Sequence, residues 1–499
     1  MRSYVFLINF AICSAFIGRF MLKFNDFGRV EELATPFWYY DMDVFRKTVK
    51  LAASLSERYG IGAHYALKAN VEPRLVSYIA SKGFGADCVS GNEVKYAVES
   101  GFARSSIVFA GVGKSDKEIS DALDLGIGCF NVESLMEMQV IDALAASKGV
   151  RANVSLRINP NIDAHTHRYV TTGLYENKFG ISRHEFEAAI DILKGSKALD
   201  FKGLHFHIGS QITDVEPVYS LECERAAEIV EWFEAHGMEV GSIDLGGGLG
   251  VDYDEPDENP VPDFEKWFSI IDRKLRRRPE QSVSIEPGRS MVAQCGSLIT
   301  RVLFVKSGET KTFLIMDAGM NDLIRPALYG AYHKIENLSA YYVSKSSSDD
   351  RPGPGICDGG IDSGARSVRA WDRVPMKNYS KSSSDDRPGP GICESKYVED
   401  VKAARSVRVW DRVPMKNMEP EGRDRPLEKG VQGGLRLYDV VGPVCESSDV
   451  WGEGRELPYS KRGDILAIRS TGAYGSVMSS RYNLRDLAPA VFSDDLKLK

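Results

Sequence analysis

The chain runs to 499 residues, enough for two or three domains around a large core. Hydrophobic residues make up 43% and charged residues 27%, the balance of an ordinary globular protein, and a formal net charge of −7 excludes the basic footprint of a nucleic-acid binder. Eight cysteines scattered without Cys-x-x-Cys pairs exclude a zinc site or a disulfide framework and fit a reducing compartment.

Arg2 precedes an apolar run from Tyr4 to Ile17 that is signal-peptide-like. Asn9 and Ser14 interrupt it, it is too short for a membrane span, and no small-residue cleavage site follows. Residues 1–20 are therefore set apart as an extension, and the expected location is the cytoplasm, or a plastid in a plant or alga. Pro36–Asp41 reads as an aromatic strand, and residues 21–44 are assigned with it to a β domain. A helix-period segment follows from Val44 to Tyr59.

Eight short apolar runs then alternate with helical stretches. They are His64–Lys68, Gly85–Ser90, Ile107–Gly111, Cys129–Ser134, Val154–Pro160, Gly203–Ser210, Ser242–Gly248 and Val283–Arg289. Eight strand–helix alternations over about 250 residues predict a (β/α)8 TIM-like barrel, placed at 45–290. Beyond Arg289 strand-like runs (Leu298–Phe304, Thr312–Met316, Leu435–Val441, Asp464–Ile468) follow without long helices between them. They predict a mainly β C-terminal domain from 291–343 and 431–499, which also takes the N-terminal strand.

One block fits neither domain. Residues 344–357 recur identically at 380–393, and 365–378 recur at 404–417 with Ala370 replaced by Val409. Two polar Pro/Gly/Ser-rich copies are too few and too hydrophilic for a solenoid, so 344–430 reads as a disordered tandem insertion.

On a barrel, catalytic groups gather at the C-terminal strand ends. The residues closing these runs include Lys68, Asp87, His205, His207, Ser210, the triplet Gly246–Gly248, Glu286, Gly288 and Arg289. Two glycine turns on neighbouring strands, one with an arginine, suit a phosphate. A lysine, an acid and a flat imidazole on the same rim suggest pyridoxal phosphate, with the lysine as Schiff-base nucleophile of lowered pKa and the acid on the pyridine nitrogen. Each residue also has a plainer reading: Lys68 as a strand-end ammonium reaching water, His205 and His207 as satisfied polar groups. Their joint occurrence favours the cofactor.

The motifs Tyr65-Ala-Leu-Lys-Ala-Asn70, Leu156-Arg-Ile-Asn-Pro160, Gly203-Leu-His-Phe-His-Ile-Gly-Ser-Gln-Ile212 and Glu286-Pro-Gly-Arg-Ser290 resemble those of the fold-type III pyridoxal-phosphate decarboxylases. Asp317–Tyr329, Gly442–Asp449 and Gly472–Gly475 narrow the resemblance to the diaminopimelate decarboxylase branch. It covers about Thr35–Tyr342 and Tyr438–Asn483. The resemblance implies decarboxylation of meso-2,6-diaminopimelate to L-lysine and CO2 in lysine biosynthesis, with pyridoxal 5'-phosphate as cofactor, no metal and a head-to-tail homodimer. It gives Lys68 the Schiff base, places Asp87 with the cofactor-binding residues, and lays His207 against the cofactor ring. Ser210, Gly247, Gly248, Gly288 and Arg289 would hold the phosphate and Glu286 the pyridine nitrogen. Arg289, Arg325 and Tyr329 would bind the distal carboxylate of the substrate and Glu446 its distal amine. Cys445, as proton donor, and Tyr474 would arrive from the partner subunit. The alternatives are a sibling decarboxylase acting on ornithine, arginine or a carboxylated polyamine, and a non-catalytic homologue acting through protein contacts. The tail after Asn483 departs from the family pattern, so the closing strand of the β domain is expected to be missing or improvised.

Overall fold

The computed structural model describes residues 27–160, 162, 178–341 and 434–497. The extension 1–20 and the tandem block 344–430 lie outside them.

The first strand, β1 (Phe37–Tyr40), precedes eight others: β2 (Ile61–Ala66), β3 (Gly85–Cys88), β4 (Ile107–Phe109), β5 (Cys129–Val132), β6 (Ala152–Arg157), β7 (Leu199–His205), β8 (Ser242–Asp244) and β9 (Ser282–Ile285). The eight close into a parallel barrel in sequence order, β9 returning to β2 with Val283 opposite Ile61. Helices cover the outside and side chains fill the interior, so both faces of each strand are dry and the strands read as near-continuous apolar runs. Hydroxyl caps open three of the helices between them. Ser90 accepts from the Glu93 amide, Ser134 from the Glu137 amide, and Ser115 with Glu118 completes a capping box.

The second domain is built from β10 (Gly296–Ser307), β11 (Thr312–Met316), β12 (Ile335–Asn337), β13 (Leu435–Val441), β14 (Val450–Pro458), β15 (Ile465–Ile468) and β16 (Ala490–Phe492). Its path is β12-β15-β10-β11-β13-β14, with β1 antiparallel to β10. The predicted architecture, a barrel with a mainly β domain that takes the N-terminal strand, is the one observed. The tail after Asn483 forms β16, three residues that lie off this path, run parallel to β1 and pair Trp38 with Ala490 and Tyr40 with Phe492. Stacking of Tyr40 on Phe492, 5.6 Å between centroids, anchors it there.

All four residues of β1 are buried because the strand lies between two apolar clusters. Successive side chains of a strand face opposite ways. Trp38 and Tyr40 join the main core, which continues from the barrel into Leu314, Val440 and Leu466 of the sheet, whereas Phe37 and Tyr39 join Ile299 and Ile465 behind it. The two domains also meet by polar bonds beside Lys68. Asn70 Nδ2 donates to the Gly472 carbonyl at 2.7 Å and to the Tyr40 hydroxyl at 3.0 Å, and the Tyr474 amide donates to the Ala69 carbonyl at 2.8 Å. Among the described residues no helix is long and apolar enough to cross a membrane.

Candidate active site

At the C-terminal mouth of the barrel, under the β domain, lies a cavity of about 1130 Å³. Lys68, His207, Ser210, Gly248, Glu286, Gly288, Arg289, Arg325, Tyr329 and Tyr474 all line it. The structure thus gathers ten of the fourteen residues to which the resemblance gives a role. Of the other four, Asp87 and Gly247 stand directly behind its wall, and Cys445 and Glu446 lie elsewhere on the β domain.

Lys68 is not at the end of a strand. β2 stops at Ala66, and Leu67–Ala69 forms a single 3-10 turn that lifts the lysine into the cavity while Leu67 and Ala69 stay buried. Its Nζ is 2.9 Å from Oδ2 of Asp87, which is wholly buried on β3. The expectation of a lowered lysine pKa is corrected here. Burial by itself would lower it, but the Asp87 charge, with smaller contributions from Tyr474 and Glu286, outweighs that and raises it. Lys68 therefore rests as an ammonium paired with Asp87.

Glu286 and His205 form the floor of the cavity. Nε2 of His205 is 3.2 Å from Oε2 of Glu286, and both residues are buried. Burial and the Asp87 charge push the Glu286 carboxyl up. Burial opposes protonation of His205, but the Glu286 charge wins and raises the imidazole. Both shifts favour a proton held between the two groups. His205 is thus a partner of Glu286 rather than an isolated strand-end group. His207 behaves oppositely: burial, then the Arg157 and Lys68 charges, push it well below the usual imidazole range and keep the ring neutral.

On the other side the backbone comes close. Gly248 has φ +108°, and a Cβ there would lie 2.7 Å from the Gly209 carbonyl; one on Gly247 would lie 2.3 Å from the Glu286 carbonyl. Only glycine allows the neighbouring loops to pack this closely beside the cavity. Beside it Arg289 donates to Ser210 Oγ at 3.0 Å and to the Tyr253 hydroxyl at 2.7 Å, and its guanidinium lies 4.9 Å from the centroid of the Tyr474 ring. Arg289 and Arg325 are both buried, the Nε of each has no partner, and neither forms an ion pair with a carboxylate among the described residues. Burial, together with repulsion from Arg289, lowers Arg325.

Tyr474 is a second correction. It lines the cavity of its own chain, tied by its amide to the Lys68 turn, instead of arriving from a partner. Cys445 is exposed and outside this cavity, and Glu446 meets the Tyr482 hydroxyl and Ser448. Among the wall residues that sequence reasoning gave no role are Arg157 and Tyr253. Arg157, which pairs with Glu133 at 2.6 Å, stood inside a quoted motif without a role. Tyr253 lies in an aperiodic acidic loop that carries no signal of its own.

Comparison with known proteins agrees with this geometry. Residues 43–293 match the model of the pyridoxal-dependent decarboxylase pyridoxal-binding domain, and residues 406–472 match the C-terminal sheet domain of the same enzymes. The chain is 41% identical over 465 residues to diaminopimelate decarboxylase of Bacteroides thetaiotaomicron, covering 93% of this chain and 97% of that one. It is 33% identical over 435 residues to the Aquifex aeolicus enzyme of the same name, covering 87% and 81%. The crystal structure of Helicobacter pylori diaminopimelate decarboxylase complexed with L-lysine superposes with a TM-score of 0.70 at 33% identity, covering 94% of each chain.

The residues present fit pyridoxal phosphate: an amine within the cavity, a glycine turn beside the hydroxyl-bonded cation Arg289, and a buried acid on the floor. The chain belongs to the pyridoxal-phosphate-dependent decarboxylases, in the diaminopimelate decarboxylase family.

Proposed function

We propose that this protein decarboxylates meso-2,6-diaminopimelate to L-lysine and CO2. The observation that carries the substrate is the pair of buried guanidiniums, Arg289 and Arg325, facing the cavity of Lys68 without a carboxylate partner among the described residues. Two unneutralised cations held out of water call for an anionic ligand. A substrate with a second amino-acid end supplies one at a distance from its reacting carbon.

Lys68 would hold the cofactor covalently, Ser210, Gly247, Gly248, Gly288, Arg289 and Tyr474 its phosphate, and Glu286, backed by His205, a proton at its pyridine nitrogen. When bound, pyridoxal phosphate provides an electron sink for the pair released as CO2 leaves. Asp87 fixes Lys68 Nζ at 2.9 Å and aims it into the cavity where the cofactor would be held. Neutral His207 offers a flat face without adding charge. Arg289, Arg325 and Tyr329 grip the distal carboxylate, which orients the reacting carboxyl away from them.

The carbon that loses CO2 must then take a proton. We assign that step to Cys445 and recognition of the distal amine to Glu446, both in a second copy of the chain. Their exposure on the β domain, outside their own cavity, supports a shared site. Exposed Leu484, Tyr482 and Leu328, apolar surface of the kind interfaces cover, support it further.

Initial rates with meso-diaminopimelate, L-ornithine, L-arginine and carboxynorspermidine test the substrate. Diaminopimelate is expected to turn over fastest. Faster turnover of ornithine would contradict the assignment.

A further inference from the structure

Tyr253 stands between the two arginines. Its hydroxyl accepts from Arg289 Nη1 at 2.7 Å, and the Arg325 guanidinium lies 5.7 Å from its ring centroid. The ring packs edge-on against buried His333, 5.1 Å between centroids.

A buried guanidinium needs partners for its N–H groups. A carboxylate would provide them and cancel the charge. A phenol hydroxyl and an aromatic face provide them and leave the charge in place. Three acids of the same loop, Asp252, Glu255 and Asp257, are engaged elsewhere. Asp252 accepts from the amides of Asp254 and Glu255 and from Asn259. Glu255 pairs with Lys334 at 2.7 Å, and Asp257 with Arg469 at 2.6 Å. The last two bonds also fasten the loop to the β domain, so the tyrosine is held from both sides. His333 adds no charge of its own: burial and Arg325 bring it down to about 3.

We propose that Tyr253 is a positioning residue that keeps Arg289 and Arg325 solvated but uncompensated, and so sets the preference of the site for amino acids bearing a carboxylate remote from the reacting carbon. The inference rests on the reading that these arginines take that carboxylate.

The test compares L-lysine with 1,5-diaminopentane, which differ by one carboxylate, as ligands of the holoenzyme in calorimetric titration. Wild-type protein is expected to prefer L-lysine. Tyr253→Phe, which keeps the ring and loses the hydroxyl, should weaken L-lysine about tenfold, the loss of one charge-assisted hydrogen bond, and leave diaminopentane within about twofold. In turnover, KM for diaminopimelate should rise by about the same factor with kcat little changed. An unchanged L-lysine affinity, or equal losses for both ligands, would overturn the role of Tyr253. Wild-type protein with no preference for L-lysine would instead overturn the underlying carboxylate reading.

Discussion

Arg325→Met should make this protein worse at its reaction without making it less stable. The guanidinium is 6% exposed, has no carboxylate partner among the described residues, and is destabilised as a cation by burial and by Arg289. Methionine keeps an unbranched stem of similar reach and removes the charge. On the binding side, a hydrogen bond to a charged group contributes about 1.5–3 kcal/mol, so KM for diaminopimelate should rise roughly 10- to 100-fold. On the folding side, removing a buried charge that repels its neighbour relieves a cost, and the thermal midpoint of the cofactor-free protein should stay level or rise. The assay is steady-state kinetics beside a thermal melt of the same preparation. An unchanged KM, or a midpoint lowered by several degrees, would refute the reasoning.

Glu222 offers a pH-dependent counterpart away from the chemistry. It is 1% exposed, neither carboxyl oxygen has a hydrogen-bond partner, and burial, then the Asp244 charge, hold its pKa well above the usual range. The folded state thus keeps a proton that the unfolded chain releases, and this residue makes stability fall as pH rises above the unfolded carboxyl value. Glu222→Leu should raise stability by about 1–3 kcal/mol at neutral pH and flatten the decline that begins above the unfolded carboxyl value; a lower midpoint, or an unaltered slope, speaks against it. The shared site is tested by mixing. Lys68→Ala and Cys445→Ala are each expected to be nearly inactive alone and to regain turnover when combined, since a mixed dimer carries one intact site. Lasting inactivity of the mixture would place both residues in a single chain's site.

The barrel was legible because its physics is repetitive. Strands buried on both faces are apolar runs, three of the helices between them start at serine caps, and whatever polar group ends a run projects onto the rim. Lys68, Glu286 and Arg289 could be placed together on that ground before any geometry was known. The proton state of Lys68 could not. It depends on Asp87, nineteen positions away in sequence but 2.9 Å away in space, and a motif shows the lysine without its counter-charge. Tyr474 was misassigned to the partner for a related reason: a conspicuous motif says that a residue reaches a site, not from which chain. The bond from Asn70 to Gly472 spans 402 positions and brings Tyr474 home. β14 escaped notice because Gly452, Glu453, Gly454 and Arg455 break any strand-like pattern, and pairing along β13 supplies what propensity lacks. Tyr253 had only an irregular acidic loop around it, and its meaning lies in where the neighbouring acids point.

The central claim is that Lys68 is the group around which the cofactor and both domains are assembled. Incubating the purified protein with pyridoxal phosphate, reducing with borohydride and mapping the modified peptide tests it directly. The account predicts one stable pyridoxyl adduct per chain, on Lys68, lost in Lys68→Ala. No adduct, or one on another lysine that persists in that variant, would contradict it.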